Sequence, residues 1–296
     1  MYSLLTFLNG AIIAIMILMN GRLNAQIGIW LEVAVVHTVG LIFAALFLLV
    51  TKKKIHLDKS QPWWIYIGGV IGVTTTVFQT FAYGKISMTS ISALGLLGET
   101  LTSIIIDSFG LFGMEKHKLP LNNLIGLAFA LAGILLMLDN SVGQAMTAVI
   151  LALLVGLSIV TSRSINARLA KSVGSMQSSF INILGGFPVA WLLAFILTPH
   201  ASINPAHILS GPFWIYLGGA VSIFTVGMNS YVSKHISQFS LTLLSFIGQL
   251  SMGFMIDIFS GTTANTGSLI GGGLISFGMI LNMALNHIHA SHQSSL

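Results

Sequence analysis

The sequence has no cysteine and very few charged residues among its 296 positions. Without thiols, the chain has neither disulfides nor thiolate metal sites, and cysteine usage says nothing about its compartment. Charged residues make up 6% of the chain, whereas a soluble domain carries about 25%. Hydrophobic residues make up 55%, and the mean hydropathy is +0.93. A water-exposed surface cannot be built from so few charges, so we expect lipid to be the solvent.

Several sequence motifs of catalysis are also absent. The chain has no phosphate-binding loop, no His-Glu-x-x-His zinc motif and no Ser-His-Asp arrangement. The net charge of +5 comes from basic residues in short loops and is not a nucleic-acid footprint. The N-terminus has no basic leader, so no cleavable signal is expected. We therefore predict a protein that is not an enzyme, with no cofactor, no metal and no nucleic-acid partner. Three histidines in the tail are expected to be solvated: His287, His289 and His292.

Ten segments are long and apolar enough to cross a bilayer, which takes about 20 mostly apolar residues. They lie at roughly 3–21, 29–50, 63–83, 88–111, 121–138, 145–163, 174–197, 212–232, 237–259 and 267–286. Pro62, Pro120 and Pro212 stand at starts of segments, where a missing N–H costs nothing. The sequence therefore predicts an all-α integral membrane protein with ten transmembrane helices.

The distribution of Lys and Arg predicts the orientation of these spans. The loops after the second, fourth, sixth and eighth spans, with one helix end, carry Lys52, Lys53, Lys54, Lys59, Lys116, Lys118, Arg163, Arg168, Lys171 and Lys234. The opposite side carries only Arg22 and Lys85. Because basic residues mark the cytoplasmic side, both termini are expected in the cytoplasm of a cell-membrane protein.

The sequence also contains an internal repeat. Residues 62–109 and 212–259 share 15 identities in 48 positions, among them Trp64 with Trp214 and Asp107 with Asp257. The flanks repeat at slightly different offsets, so that Asn20 corresponds to Asn166 and Gly133 to Gly278. This predicts two repeats, residues 1–140 and 145–290, and a short tail, 291–296. Since each repeat holds five spans, the second enters from the other side. A 5+5 inverted repeat is typical of transporters with a substrate site between the repeats, near the midplane.

The architecture resembles the drug/metabolite transporter superfamily. The run Asn20-Gly21-Arg22-Leu23-Asn24, with Gly28 and His37-x-x-Gly40 after it, is similar to the YdcZ-like branch. Members of that branch often carry one five-helix repeat, so this chain would be a fused pair. The resemblance implies a secondary transporter of small organic solutes and a lean towards export. It implies no particular substrate, and the first span lacks the carboxylate that the related small multidrug resistance proteins place there.

Glu99 is the sharpest candidate site residue, because ionisable groups inside the membrane are costly and usually functional. Ser92, Glu99 and Ser103 share one face of the fourth span with Gly95, and the ninth span repeats the pattern with Thr242, Ser245, Gln249 and Gly253. The inverted symmetry predicts that Glu99 and Gln249 approach each other at the centre. A carboxylate in hydrocarbon favours its protonated form, so Glu99 could exchange a proton. The alternative is a protonated Glu99 that hydrogen-bonds Gln249 and joins two helices.

Two further sets of polar residues are candidates. A gate could pair Asp257 with Lys85 or Arg22 on the outer side, and Asp107 with Lys234 or Arg168 on the inner side; the interpretation that we favour is that these side chains only reach the interfaces. Gln79 and Asn229, surrounded by aromatic residues, could line a cavity for an organic solute or could simply join helices.

Four other polar residues receive a structural interpretation. Glu32 is expected to be hydrated near the outer interface. His37 is expected to be a buried, hydrogen-bonded histidine rather than a proton relay. Asn20 and Asn166 are expected to form structural corners with the neighbouring arginines, and a role in gating is the alternative.

The leading hypothesis is a proton-coupled secondary transporter that exports a small organic metabolite or amine. An importer of a quaternary amine or a sugar is the alternative in the same class, and an intramembrane scaffold is the alternative in another. An enzyme would need paired ionisable groups in a water-filled cleft, and a channel a ring of like groups. The expected partners are a small-molecule substrate, protons and membrane lipid, with the chain as a monomer or homodimer.

Overall fold

The computed structural model describes residues 1–54, 61–82, 85, 88–116, 121–138, 145–199, 203–260 and 266–293. Within these ranges the chain folds into α-helices and short 3₁₀ turns, and no described residue lies in a β-strand. The all-helical part of the fold prediction is therefore confirmed.

The helices follow the sequence repeat. The first half contains α1 (Tyr2–Ile27), α2 (Ile29–Val50), α3 (Gly68–Ala82), α4 (Met88–Phe109) and α5 (Leu121–Met137). The second half contains α6 (Met146–Val173), α7 (Ser175–Leu197), the single turn α8 (Pro205–Ile208), α9 (Gly218–Val232), α10 (Gln238–Ser260) and α11 (Thr266–Gln293). By length and hydropathy, seven helices among the described residues could cross a membrane.

The expected boundaries are wrong mainly at α6. This helix continues to Val173, ten residues beyond the predicted end near 163. The extension is polar, with the sequence SINARLAKSV after Arg163, so hydropathy alone suggested a loop. Yet most of these residues are buried, because the extension packs inside the bundle. Tertiary packing, rather than lipid, therefore stabilises this part of the helix.

The two halves complete each other's packing. Helix α1 packs on α10 and α9, and its repeat partner α6 packs on α4 and α3. Helices α5 and α11 form a pair of their own, which meets α4 and α10 in a core cluster that contains Ala130, Phe239 and Ile275. Each repeat thus buries its surface mainly on the other, so neither half forms the observed core alone.

Glycines allow the closest helix crossings. A Cβ on Gly156 of α6 would collide with Gly95 O and Glu99 N of α4, and one on Gly98 would collide with Leu153 O. At the repeat-related crossing, Gly10 of α1 faces Ser245 O of α10 in the same way. Only residues without a side chain allow backbones to approach so closely. The sequence repeat is therefore reproduced as two similar crossings.

The two corner asparagines also occupy equivalent places. Asn166 Oδ1 lies where a Cβ of Gly68 would stand, and Asn20 Oδ1 lies where a Cβ of Gly218 would stand. Asn166 also donates from Nδ2 to Asn182 Oδ1 at 2.7 Å. The asparagines thus pack against the first residues of α3 and α9, which agrees with the structural interpretation of these corners.

Candidate functional site

Glu99 faces α6 and lies beside Arg163. The distance between Glu99 Oε2 and Arg163 Nη1 is 3.6 Å, and the side chains are 21% and 7% exposed, respectively. This separation is longer than a charge-assisted hydrogen bond, which spans about 2.7–2.9 Å. The pair is therefore an ionic contact without a short hydrogen bond, and the carboxylate is its more accessible member.

Arg163 makes its short hydrogen bonds to α10. Its Nε donates to Gln238 Oε1 at 2.9 Å, and its Nη2 donates to Thr242 Oγ1 at 2.6 Å. The Thr242 hydroxyl also shares a hydrogen bond of 2.9 Å with Ser103 of α4. One buried guanidinium thus joins α4, α6 and α10.

Asp107 closes this network at the start of α10. Its two carboxylate oxygens accept hydrogen bonds from the backbone N–H groups of Gln238 and Phe239, both at 2.9 Å. The side chain is 3% exposed, and its charge also acts on Arg163. A carboxylate at a helix N-terminus satisfies unpaired donors and complements the helix dipole. Asp107 therefore caps α10 from a neighbouring helix.

We name this group of residues the α4–α6–α10 network: Glu99, Ser103, Asp107, Arg163, Gln238 and Thr242. It holds a permanently charged guanidinium, which is not deprotonated in proteins, near two carboxylates. Removal of one member of a buried ion pair leaves the charge of the other member uncompensated. Arg163 is therefore in ionic contact with Glu99 and hydrogen-bonded to the first turns of α10 at the same time.

Glu99 and Gln249 do not form the hydrogen bond that the alternative interpretation expected. Gln249 Nε2 donates instead to Ser245 Oγ on its own helix, at 3.3 Å. Among the described residues, no hydrogen bond joins Glu99 to Gln249. The reason is that α4 and α10 contact each other less than α4 contacts α6, so the glycine crossing directs Glu99 towards α6. Of the other predicted site residues, Ser103 and Ser245 are buried and Ser92 is exposed.

The repeat-related candidates Gln79 and Asn229 lie in different environments. Asn229 accepts a hydrogen bond of 2.9 Å from Asn9 of α1, whose Nδ2 also lies 3.4 Å from Thr225 O. Gln79, the repeat partner of Asn229, is exposed on α3. The structure thus makes Asn229 a helix-joining residue and leaves Gln79 on the surface of the described chain.

The candidate gate residues lie in several environments. Lys234 Nζ donates to Ala170 O at 3.0 Å and lies 3.4 Å from Ser175 Oγ. Burial lowers the pKa of Lys234, and the nearby positive charge of Lys171 lowers it further. Arg168 packs over Gly113. Lys85 is exposed, and the side chain of Asp257 lies outside the described residues.

An open groove of about 340 Å³ lies near the remaining gate candidate, Arg22. Besides Arg22 it is lined by Leu18, Gln26, Pro212, Trp214 and Ile215. The groove is formed by the end of α1 and the turn before α9, and Arg22 is exposed within it. It does not include Glu99, so the groove and the α4–α6–α10 network are separate features.

Two further predictions concern α2. His37 Nδ1 lies 2.8 Å from Val33 O, and the other ring nitrogen packs against Gly186. This geometry agrees with a buried, hydrogen-bonded histidine. The expectation that Glu32 is hydrated is wrong, because only 8% of this residue is exposed.

Sequence reasoning missed Arg163, Gln238 and Asn9 as site residues. Arg163 was counted as a cation at a helix end, because the polar residues after it resembled a loop. The repeat gives a signal that could have identified Arg163. At the offset of 146 residues, Arg163 corresponds to Ile17 of α1, so this position is charged in only one copy. No group of three or more His, Cys, Asp or Glu residues in the described chain could hold a metal ion.

Comparison with known proteins gives the family. The family model described as "Putative inner membrane exporter, YdcZ" matches the chain twice, over residues 1–136 and 147–281. A solved structure described as "Crystal structure of protein" has the same fold, with a TM-score of 0.70, 16% identity and 96% of each chain covered. No curated protein matches the sequence.

The two matches of the family model cover the two halves of the chain, one after the other. They confirm the resemblance that the Asn20–Asn24 run indicated, and they agree with the sequence repeat. The two family matches and the apolar helices together show that the chain is a membrane transporter. The chain therefore belongs to the YdcZ family of inner membrane exporters, as a multi-pass membrane protein built from two repeats.

Proposed function

We propose that this protein is a proton-coupled secondary transporter, which exports a small organic metabolite or amine by alternating access. Glu99 is the group that binds either the proton or the cationic part of the substrate. Arg163 is its internal counter-ion. No cofactor or metal takes part in the cycle.

The observation that carries the proposal is the environment of Glu99. Its carboxylate lies in a helix bundle, is partly accessible and has only one cation nearby among the described residues, at 3.6 Å. That cation already makes two shorter hydrogen bonds, to Gln238 and Thr242. A carboxylate in this position is incompletely neutralised, so a proton or an organic cation would stabilise it. Competition of the two for one group is the simplest route to exchange.

The test is proton-coupled flux in liposomes with the Glu99→Gln variant. The amide keeps the shape of the side chain but does not titrate. We expect substrate-dependent proton movement to be lost while the protein remains folded. Substrates would come first from a thermal-shift screen of amines, amino acids and sugars. Flux with the normal pH dependence in Glu99→Gln would overturn the coupling role.

A matched control uses the repeat partner of Glu99. Gln249→Glu adds a second carboxylate at the equivalent place on α10, where the described structure provides no arginine. If Glu99 alone carries the coupling, Gln249→Glu should not restore proton-coupled flux to Glu99→Gln. Loss of folding in Glu99→Gln would instead support a role for Glu99 as a structural link between helices.

The proposed membrane arrangement has ten spans in two inverted five-helix repeats, with both termini in the cytoplasm. It is supported by the ten-to-two distribution of Lys and Arg and by the five long helices in each half. Reporter fusions at the termini test it. We expect activity from a reporter that works only in the cytoplasm, and activity of an external reporter at the C-terminus would contradict the orientation.

The remaining residues receive proposed roles by position. Ser103, Ser245 and Gln249 line the path of the substrate near Glu99, whereas Ser92 and Gln79 are exposed and Asn229 joins α9 to α1. The gate residues Asp107, Asp257, Lys85, Lys234, Arg22 and Arg168 alternate their contacts at the two ends of this path. The protein works as a monomer or homodimer surrounded by lipid.

An importer of a quaternary amine or sugar is the alternative, and the direction of substrate movement in oriented vesicles separates the two. The further alternative, a scaffold without transport, predicts no flux of any substrate.

A further inference from the structure

The turn between α9 and α10 is held by three other helices. Tyr2 of α1 stacks on His235, with ring centroids 4.1 Å apart. Lys234 donates to Ala170 O of α6. Asp107 of α4 caps the first residues of α10. Under the proposed orientation this turn closes the cytoplasmic end of the bundle.

Arg163 is the only described cation that connects this turn to Glu99. Gln238 accepts from Arg163 through Oε1, and its Nε2 has no hydrogen-bond partner among the described residues. The Arg163 bond therefore holds the side chain of Gln238. The 2.6 Å bond to Thr242 holds the next turn of α10 in the same way.

We propose that Arg163 transmits the charge state of Glu99 to the cytoplasmic end of α10, so that a proton or cation on Glu99 loosens the closed α9–α10 turn. This inference rests on the proposed function of Glu99. It adds a positioning residue, and with it a link between the binding group and one gate of the transporter.

The physical reason is a competition between two carboxylates. While Glu99 is ionised, it attracts Nη1 of Arg163 and keeps the guanidinium in reach of Gln238 and Thr242. When Glu99 is neutralised, Asp107 is the remaining carboxylate of the network that attracts Arg163. A guanidinium that moves towards Asp107 leaves Gln238 and Thr242 and competes for the oxygens that cap α10. The start of α10 then loses its hydrogen bonds from Arg163, and those that Asp107 accepts from its backbone N–H groups are weakened.

Few other charged groups face this network from the packed elements. Besides Glu99 and Asp107, described α4 carries no ionisable side chain, and α3, α5 and α7 carry none in their sequences. The sequence of α10 holds one ionisable residue, Asp257, which lies five turns beyond Gln238 near the other end of the helix.

The remaining cations near the turn have contacts of their own. On α6, Arg168 packs on Gly113, and Lys171 donates to Gly113 O at 3.2 Å. After α9, Lys234 is bound to Ala170 O. His235, in the turn itself, has the rings of Tyr2 and Tyr231 as neighbours. Of the ionisable groups named here, Glu99 is the one in ionic contact with Arg163, and the Glu99→Gln variant separates its effect on labelling from that of His235.

The experiment uses the lack of native cysteine. Ser233 lies in the α9–α10 turn, is 2% exposed, and its hydroxyl has no hydrogen-bond partner among the described residues. Ser233→Cys is therefore a nearly isosteric reporter with a single thiol. A maleimide reacts with it in the full-length protein in liposomes, at a series of pH values. Ser172→Cys, on the exposed end of α6, corrects for the effect of pH on the thiol itself.

We expect the corrected labelling rate of Ser233→Cys to rise roughly fivefold or more as pH falls and Glu99 becomes protonated, at the lower end of typical coupling between sites. Adding Glu99→Gln should give the fast rate at every pH. Adding Arg163→Gln should remove the pH response. Thr242→Val, which keeps the side-chain shape and removes one acceptor, should raise the rate at high pH.

A full pH response in Arg163→Gln would overturn the inference, and so would a slow, pH-independent rate in Glu99→Gln. If Arg163→Gln does not fold, Arg163→Lys replaces it: the lysine keeps the charge but cannot reach two acceptors at once, so a weakened response supports the inference and an unchanged one overturns it. Proton-coupled flux without any pH effect on labelling of the reporter thiol would refute this link alone. A pH effect on that labelling without proton-coupled flux would refute the proposed function and leave the link.

Discussion

The α4–α6 crossing and the α1–α10 crossing are built alike but carry different chemistry. Both bring helix backbones together at glycines, Gly156 against Gly95 in one and Gly10 against Ser245 in the other. Yet α6 has Arg163 where α1 has Ile17, and α4 has Glu99 where α10 has Gln249. The two crossings thus share one scaffold, and the charged network, which draws residues from both repeats, occurs at only one of them.

This difference teaches which part of the repeat is constrained by packing. A larger residue at a crossing glycine is costly in either copy, because the opposite backbone lies close to the place of its Cβ. A polar side chain is not constrained in this way, so one crossing holds an ion pair while the repeat-related crossing has neutral groups at the same positions.

The largest expected effect comes from removing the charge found in one copy only. Arg163→Ala should lower the free energy of unfolding by about 3 kcal/mol, near the lower end for breaking a buried pair, because Glu99 is partly accessible. Ile17→Ala, at the repeat-related position and 54% exposed, should change it by less than about 1 kcal/mol. Thermal unfolding in detergent measures both. Equal losses would show that the network is not what distinguishes the two crossings.

Breaking the shared scaffold should have a similar effect in both copies. Gly156→Ala and Gly10→Ala each place a methyl group against opposing backbone, and overpacking of this kind costs about 1–3 kcal/mol. Gly21→Ala is the control, since nothing lies within 4 Å of its Cβ position. A large loss for only one of the two crossings would contradict their equivalence.

The repeat-related aspartates sharpen the comparison at the helix ends. Asp107→Asn keeps one acceptor for the α10 cap but loses the charge, and we expect a cost of about 1 kcal/mol. If Asp107 and Asp257 are gate residues, their Asn variants should favour opposite-facing states. Site-specific labelling from each side of the membrane reports the bias. The same change in accessibility for both variants would remove the gate role.

The smallest effect concerns Lys234, whose repeat position in the first half is Gly84. Its pKa is lowered in the folded protein, so the unfolded chain binds more protons as pH approaches the ordinary lysine range, and stability should rise with pH there. Lys171→Gln removes the nearby charge and should raise the pKa of Lys234 slightly. NMR of the labelled lysine amine measures this change. A full return of the pKa to the ordinary lysine value would show that burial is not the main cause.

Some of these features were predictable from the sequence because they depend on composition or on the repeat. Glu99 stood out as a carboxylate in an apolar segment, and the glycines were visible as repeated positions. The partner of Glu99 was not predictable, since symmetry pointed to Gln249 whereas the packing of α4 on α6 brought Arg163 instead. Asp107 was found as a candidate, but its contact with the first N–H groups of α10 depends on how two distant helices meet.

The sequence by itself determined that the chain is helical, membrane-embedded and duplicated, because hydropathy and repetition are properties of the residues in order. Only the tertiary structure decided which polar groups meet. The polar segment after Arg163 has too little hydropathy to mark a span, yet the bundle buries it and continues α6 to Val173. Burial then forces the guanidinium to find acceptors on α4 and α10, since an unpaired charge inside the bundle would be too costly.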